Sequence, residues 1–86
     1  MKTLEVTLKN ETGLHARPAS LLTQCVKKFE SEIMVKKDGN IYNPSSMLSI
    51  LSMEAGEGTK LTFTFDGSDE ALAYDAVKAL IEKEIK

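Results

Sequence analysis

A histidine, an arginine and a proline stand close together near the start of the chain, in the segment GLHARP at residues 13–18. Pro18 is tolerated in a helix only in the first turn, where its missing N–H has no intrahelical partner, so we expect a helix to begin at about residue 16. The backbone N–H groups of a first turn are unpaired, and the helix dipole places partial positive charge there. The segment therefore predicts an anion site, suited to phosphate, beside His15.

The side chains at this site indicate phosphoryl-transfer chemistry. His15 would present one imidazole nitrogen as a nucleophile, and Arg17 would offer a planar fork of donors to phosphate oxygens. Pro18 would hold the geometry of the helix start, and the Thr12 hydroxyl would add a donor. A nitrogen–phosphorus bond is high in energy, so an acceptor would later remove the group. A lone histidine is more often a surface or cap residue without a role, and the residues alone leave both interpretations open.

Four segments predict the strands that must position this site. Residues 3–9 and residues 60–65 alternate apolar and polar side chains, which is typical of half-buried strands. Residues 33–37 and residues 40–42 flank Asp38-Gly39, a strong signal for a two-residue hairpin. The turn at residues 10–13 ends in a glycine, which adopts backbone angles forbidden to other residues.

Three further segments predict helices. Residues 16–29 carry apolar side chains at steps of three and four, the stripe of an amphipathic helix. A short helix is expected at about residues 46–53, after Pro44 and with a serine at its start. Ser68 or Asp69 caps the last helix. The apolar residues expected on the core side are Ala19, Leu22, Val26 and Phe29 in the first helix and Ala73, Val77, Leu80 and Ile81 in the last.

The order of these segments, βαββαβα, predicts an α+β fold with a single domain at residues 1–86. Four strands would form an antiparallel sheet, and three helices would cover one face of it, giving an open-faced β-sandwich. A single core is expected at this length.

Composition limits the classes of function. The formal net charge is −2, from 11 basic and 13 acidic residues that are well mixed, which argues against binding to nucleic acid. No apolar run approaches the roughly 18–20 residues of a membrane helix, and the alternating N-terminus argues against a signal peptide. One cysteine and one histidine do not complete a four-ligand zinc site, and carboxylates would add only a weaker one, so no metal is expected. The lone Cys25 fits a reducing compartment, and we expect a cytoplasmic protein with no role at a membrane.

The segment TGLHARPA at residues 12–19 resembles the active-site signature of HPr, the histidine phosphocarrier family of the bacterial sugar phosphotransferase system. The resemblance extends over essentially all 86 residues in length, element order and the segment around Ser46. It implies that His15 accepts a phosphoryl group through Nδ1 from phosphoenolpyruvate-charged enzyme I and passes it to the IIA domains of sugar permeases. Arg17 would stabilise the phosphate, and Pro18 would clamp the helix start. The domain would be a monomeric transfer intermediate rather than an enzyme, with a transient phosphohistidine and no cofactor.

Ser46, at the start of the short helix, has two interpretations. A serine at a helix N-terminus is most often a cap. The resemblance implies instead a target of the regulatory HPr kinase/phosphorylase, with a catabolite-control transcription regulator as a further partner. The surroundings depart from the family pattern. They read SSMLS at residues 45–49 and LSME at residues 51–54, where the family has KSIMG and MSLG, so Glu54 replaces a glycine. Both interpretations stay open.

The short helix is also expected to carry an exposed apolar patch near His15. Ile50 and Met53 would fill its core side, and an exposed apolar patch beside a reactive group indicates a docking surface. In the family, this helix and the helix that begins at residue 16 contact both enzyme I and IIA. The partner-binding residues expected from this are Met47, Leu48, Leu51, Ala16 and Ser20.

Cys25 is expected to be structural. Four lysines are expected on solvated faces, and these are Lys27, Lys28, Lys36 and Lys37. An enzyme would need a second ionisable group near His15, and Glu11 is the only local carboxylate. A regulatory module switched at Ser46 typically loses the active histidine, which this chain keeps. A carrier in nitrogen-linked or dihydroxyacetone phosphorylation is a further alternative.

Overall fold

Seven elements follow one another in the order βαββαβα in the computed structural model, which describes residues 1–9 and 12–84. They are β1 (Lys2–Thr7), α1 (Ala16–Val26), β2 (Glu32–Lys37), β3 (Asn40–Tyr42), α2 (Met47–Ser52), β4 (Lys60–Asp66) and α3 (Glu70–Glu84). All seven expected elements are present in the expected order. Asn10 and Glu11 of the predicted turn lie outside the described residues.

Two of the expected boundaries differ from the structure by two or three residues, and the others differ by at most one. Helix α1 ends at Val26 rather than at residue 29, because the Lys28 and Phe29 amides bond three residues back instead of four, at 3.2 and 3.3 Å. Such a tightened last turn is common at helix ends. Strand β1 ends at Thr7 rather than at residue 9. The next residue, Leu8, is nevertheless buried, and its amide still donates to the Thr59 carbonyl at 2.9 Å.

The four strands form one antiparallel sheet in the order β1-β4-β2-β3. In β4, one of the two inner strands, Phe63 lies opposite Leu4 of β1 on one side and Val35 of β2 on the other. All three side chains are buried. Buried residues from α1, α2 and α3 join them in a single core on that face. Threonines of β4 on the opposite face are half-buried. The open-faced α+β sandwich is therefore confirmed.

The β2–β3 hairpin turns at the predicted residues. Asp38 and Gly39 have φ values of 50° and 82°, so both central residues adopt the positive φ that a type I′ turn requires. Asp tolerates this conformation better than most residues, and Gly adopts it freely. The turn sets the register in which Lys36 lies opposite Ile41.

Helix α3 begins beside Asp69, one of the two residues expected to cap it, but the Asp69 carboxylate bonds a different part of the chain. The Asp69 carbonyl accepts from the Ala73 amide at 2.9 Å, which starts the helix. The carboxylate reaches across to the loop before β2, where it accepts from the amides of Glu30 and Ser31, both at 2.9 Å, and from the Ser31 hydroxyl. These bonds, led by the one from the hydroxyl, lower the pKa of Asp69. Asp69 thus ties α3 to the connection between α1 and β2.

Candidate functional site

His15 lies at the N-cap of α1, with its backbone extended at φ −91° and ψ −170°. Its carbonyl accepts from the Ala19 amide at 2.9 Å, which closes the first turn of the helix. The imidazole is exposed, and no side chain of the described residues makes a capping hydrogen bond to α1. The amides of Ala16 and Arg17 occupy the first two helical positions, which have no intrahelical acceptor. The nucleophile expected from the sequence therefore stands beside two first-turn amides that have no intrahelical acceptor, at the positive end of a helix dipole.

The backbone directly before His15 packs against residues 55–56, in the segment that follows α2. The Leu14 amide donates to the Ala55 carbonyl at 2.8 Å, and both residues are buried. Gly13 has a φ of 59°, and a Cβ at this position would lie 2.2 Å from the Ala55 oxygen and 2.6 Å from the Gly56 Cα. Only glycine fits such a contact between two backbones. The position of His15 is thus set by residues about 40 positions away in the chain.

Arg17 points to an acidic partner that the sequence reasoning missed. Its Nη1 lies 3.1 Å from Oε1 of Glu84, at the end of α3. The Arg17 side chain is 75% exposed. The two residues are 67 positions apart, and no local pattern indicates the pair; only the packing of α1 against α3 brings them together. Arg17 also lies near the negative end of the α3 dipole, which favours a cation.

The remaining residues of the predicted site take ordinary positions in the helix start. Pro18 is the third residue of α1 and is buried, where its ring fits the first turn. Ala16 is exposed, and Thr12 is exposed three positions before His15. Ser20 is half-buried, and its hydroxyl accepts from Nε2 of Gln24 at 3.2 Å.

Helix α2 begins directly after Ser46 and carries the expected apolar patch. Ser46 is the N-cap, and its hydroxyl accepts from the Ser49 amide at 3.2 Å. Ile50 is fully buried, whereas Leu48 and Leu51 are 79% and 42% exposed. Met47 is only half-buried and packs against the core, because its flexible side chain folds back onto apolar neighbours. The exposed apolar patch of α2 therefore consists of Leu48 and Leu51.

Cys25 was expected to be structural, and four lysines were expected to be exposed to solvent. Cys25 is half-buried, and burial raises the pKa of its thiol, opposed in part by the Lys28 ammonium. A protonated thiol is a poor nucleophile, which agrees with a structural role. Lys27, Lys28 and Lys36 are exposed as expected. The expectation for Lys37 is wrong, because it is half-buried and its Nζ donates to the Met53 carbonyl at 2.6 Å.

The described residues offer no cluster of three or more histidine, cysteine or acidic side chains that could hold a metal ion. Within the same ranges, no helix is long and apolar enough to cross a membrane.

The family model for the PTS HPr component phosphorylation site matches residues 2–83. The chain belongs to the HPr family. The HPr-like protein Crh of Halalkalibacterium halodurans is 45% identical over 80 residues, which cover 93% of this chain and 95% of that protein. The crystal structure of HPr from Thermoanaerobacter tengcongensis matches at 41% identity with a TM-score of 0.91, covering 96% of this chain and 93% of that one. Crh of Bacillus subtilis, solved as a swapped dimer, matches at 32% identity with a TM-score of 0.75, covering 100% and 99%.

Membership of the HPr family has two consequences. HPr-family proteins are phosphocarriers rather than enzymes, and the open-faced sandwich is their fold. The relatives include both HPr and Crh proteins, so the family alone does not decide between sugar-system carrier and regulatory protein. That choice depends on the residues of the site.

Proposed function

We propose that this HPr-family domain carries phosphoryl groups in the bacterial phosphotransferase system, from enzyme I to the IIA domains of sugar permeases. The observation that supports it most directly is the placement of His15. Its exposed imidazole stands at the N-cap of α1, beside the amides of Ala16 and Arg17 and without a competing cap among the described side chains. Phosphate oxygens would bind these amides, while the nitrogen holds the phosphorus.

The transfer steps follow from ordinary phosphoryl chemistry. The lone pair of His15 Nδ1 attacks the phosphorus of the charged donor, and the nitrogen–phosphorus bond forms as the bond to the donor breaks. The donor group leaves with the electron pair of that bond. A nucleophile of a IIA domain then attacks the same phosphorus, and the nitrogen–phosphorus bond breaks as its electron pair returns to Nδ1. Exposure of the imidazole suits both encounters, because donor and acceptor must each approach in line with the breaking bond.

Arg17 would exchange one anion for another during this cycle. Its exposed pair with Glu84 is worth about 0–1 kcal/mol, as is usual for ion pairs in water. A phosphoryl group on His15 offers oxygens that a guanidinium binds in a bidentate, charge-assisted way, which is stronger. We therefore expect Arg17 to leave Glu84 when His15 is phosphorylated.

The partner proteins would dock on the surface formed by α1 and α2. Leu48 and Leu51 expose apolar side chains there, and α2 packs against α1, which carries His15 at its start. Burial of such a patch on association is favourable. Ala16 and Ser20 would lie in the same contact. We further infer that the domain works in the cytoplasm, as a monomer and without a cofactor.

A labelling experiment tests this proposal. The domain is incubated with labelled phosphoenolpyruvate and a catalytic amount of enzyme I. It is expected to gain one phosphate that is labile in acid and stable in base, and His15→Ala is expected to gain none. No label in the unmodified domain, or label retained in His15→Ala, would overturn the proposal. A chase with IIA domains of sugar, nitrogen-linked and dihydroxyacetone systems then identifies the pathway.

A regulatory role through Ser46 is the second candidate, and the 45% identity to a Crh protein favours it. Ser46 stands at the N-cap of α2, where the helix dipole favours the negative charge of a phosphate. With HPr kinase/phosphorylase and ATP, this role predicts an acid-stable phosphate that is lost in Ser46→Ala and kept in Ser45→Ala. No incorporation would leave Ser46 a helix cap.

A further inference from the structure

The end of α2 is held by a lysine from the neighbouring hairpin. Met53 is the C-cap of α2, and its carbonyl has no intrahelical donor. It accepts from Lys37 Nζ at 2.6 Å, in a partly buried position. Lys37 is the last residue of β2 and has the same side-chain direction as Val35, two positions before it, which faces the core. Its aliphatic stem therefore reaches across the edge of the core toward α2.

Glu54, the residue after Met53, has a strained backbone that the hydrogen bond from Lys37 helps to hold in place. Glu54 has a φ of 52°, a left-handed conformation that residues other than glycine adopt at a cost. Its amide bonds the Leu51 carbonyl at 3.2 Å, which closes the helix end. A cation at the C-terminus of a helix also interacts favourably with the dipole. The Lys37 ammonium thus stabilises a helix end that lacks the usual glycine.

The same segment supports the backbone of the phosphoryl-acceptor loop. Only Glu54 separates Met53, which Lys37 holds, from Ala55, whose carbonyl accepts from the Leu14 amide at 2.8 Å. Gly13 is pressed against Ala55 and Gly56 so closely that no side chain fits between them. A shift of the α2 end therefore displaces the residue that directly precedes His15.

We propose that Lys37 is a positioning residue for His15, which acts through the Met53 carbonyl, Ala55 and the Leu14 amide. The part of this inference that concerns transfer rests on the proposed phosphocarrier function. The part that concerns geometry does not, because the hydrogen bond of Leu14 can be observed in the unphosphorylated domain.

Three variants test the proposal. Lys37→Met keeps the aliphatic stem and removes the donor, Lys37→Arg restores a donor, and Lys36→Met is the matched control. Lys36 is the preceding residue, carries the same charge and is exposed on the opposite face of β2. The amide proton shift of Leu14 reports the length of its hydrogen bond. The Leu8 amide, bonded to the Thr59 carbonyl at 2.9 Å, serves as the internal reference.

In Lys37→Met we expect an upfield shift of the Leu14 amide proton with no matching shift at Leu8. We also expect a roughly five- to tenfold slower phosphoryl transfer through His15, because misplacement of a reacting group lowers its rate steeply. Lys37→Arg should restore both, and Lys36→Met should change neither. A Leu14 shift equal to that of Lys36→Met, or an unchanged transfer rate with a displaced Leu14, would overturn the proposal. If the unmodified domain takes no phosphate, the proposed function fails, and the Leu14 shift still decides the role of Lys37.

Discussion

Arg17 meets two different anions at the proposed site. In the unphosphorylated domain it pairs with Glu84 at 3.1 Å, and the proposed product offers it phosphoryl oxygens on His15. Glu84 and the phosphoryl group compete for one guanidinium. Glu84 therefore stabilises the unphosphorylated domain relative to the phosphorylated domain. The size of this effect is small, because the pair is exposed on the arginine side.

Glu84→Gln should therefore shift the phosphorylation equilibrium toward the phosphorylated domain, by up to roughly fivefold. The equilibrium is measured by mass spectrometry after incubation with enzyme I at a fixed ratio of phosphoenolpyruvate to pyruvate. Glu82→Gln, an exposed change in the same helix, is the control. An equal shift in both variants would show that the loss of one negative charge explains the effect. Glu84 would then not compete with the phosphoryl group for Arg17.

Glu54 is the clearest case of local backbone strain. Its φ of 52° is a left-handed conformation, which glycine adopts freely and other residues adopt at a cost. We expect Glu54→Gly to stabilise the domain by about 1 kcal/mol and to raise the Tm by about 4–8 °C. Glu57→Gly, at an exposed turn position without a positive φ, should lower the Tm instead. Thermal unfolding followed by circular dichroism measures both, and a lower Tm for Glu54→Gly would contradict the strain.

At the scale of elements, α2 divides its side chains between the core and the surface. Ile50 and Met53 are buried, while Leu48 and Leu51 are exposed. The pattern of the sequence was enough to predict this division, because one face of a short helix must pack against the sheet. Met47 was expected in the exposed patch, but it packs against the core. The spacing of apolar residues does not predict the direction of an unbranched, flexible side chain.

Leu48→Asp tests the docking role of this helix. The change is expected to slow transfer from enzyme I by roughly tenfold or more, because a charge replaces an apolar contact at the interface. The Tm should change little, since the side chain is 79% exposed. Leu72→Asp, at an exposed leucine on α3, is the matched control and should leave transfer unchanged. Equal transfer rates for the two variants would remove α2 from the proposed docking surface.

The local sequence pattern does not predict where the helices and strands end or which distant residues come into contact. Helix α1 stops at Val26 although its apolar stripe continues to Phe29, because the chain must turn toward β2. Lys37 was expected in solvent, and it bonds α2 because the hairpin and the helix end meet in the folded chain. His15 and Arg17 were found from sequence because proline and the helix start fix their surroundings locally. Glu84 was missed because its contact spans the whole domain.

At the scale of the whole molecule, Asp69 joins α3 to the connection between α1 and β2. Three donors from that connection bind its carboxylate and lower its pKa, with the Ser31 hydroxyl as the largest contribution. A folded pKa below the unfolded value means that the group stabilises the fold above the unfolded pKa. This stabilisation is lost as the pH falls through the lower, folded pKa.

Asp69→Asn should therefore lower the Tm at neutral pH, and the difference from the unmodified domain should shrink as the pH falls below about 4. Thermal unfolding between about pH 2 and 7 measures this difference. Asp75→Asn, an exposed change within α3, should leave the Tm nearly unchanged throughout. A difference for Asp69→Asn that stays constant down to pH 2 would mean that the charge of the carboxylate is not what holds the two segments.

In the proposed function, His15 carries the phosphoryl group on Nδ1 and gives it up to a second protein. Phosphorus NMR of the domain, charged by phosphoenolpyruvate and enzyme I and observed together with the imidazole nitrogens of His15, tests it most directly. We predict a single phosphoramidate resonance, a changed Nδ1 shift at His15, and loss of both when a IIA domain is added. A phosphorus resonance without a change at Nδ1, or one that persists with every IIA domain, would show that His15 Nδ1 does not carry the group between proteins.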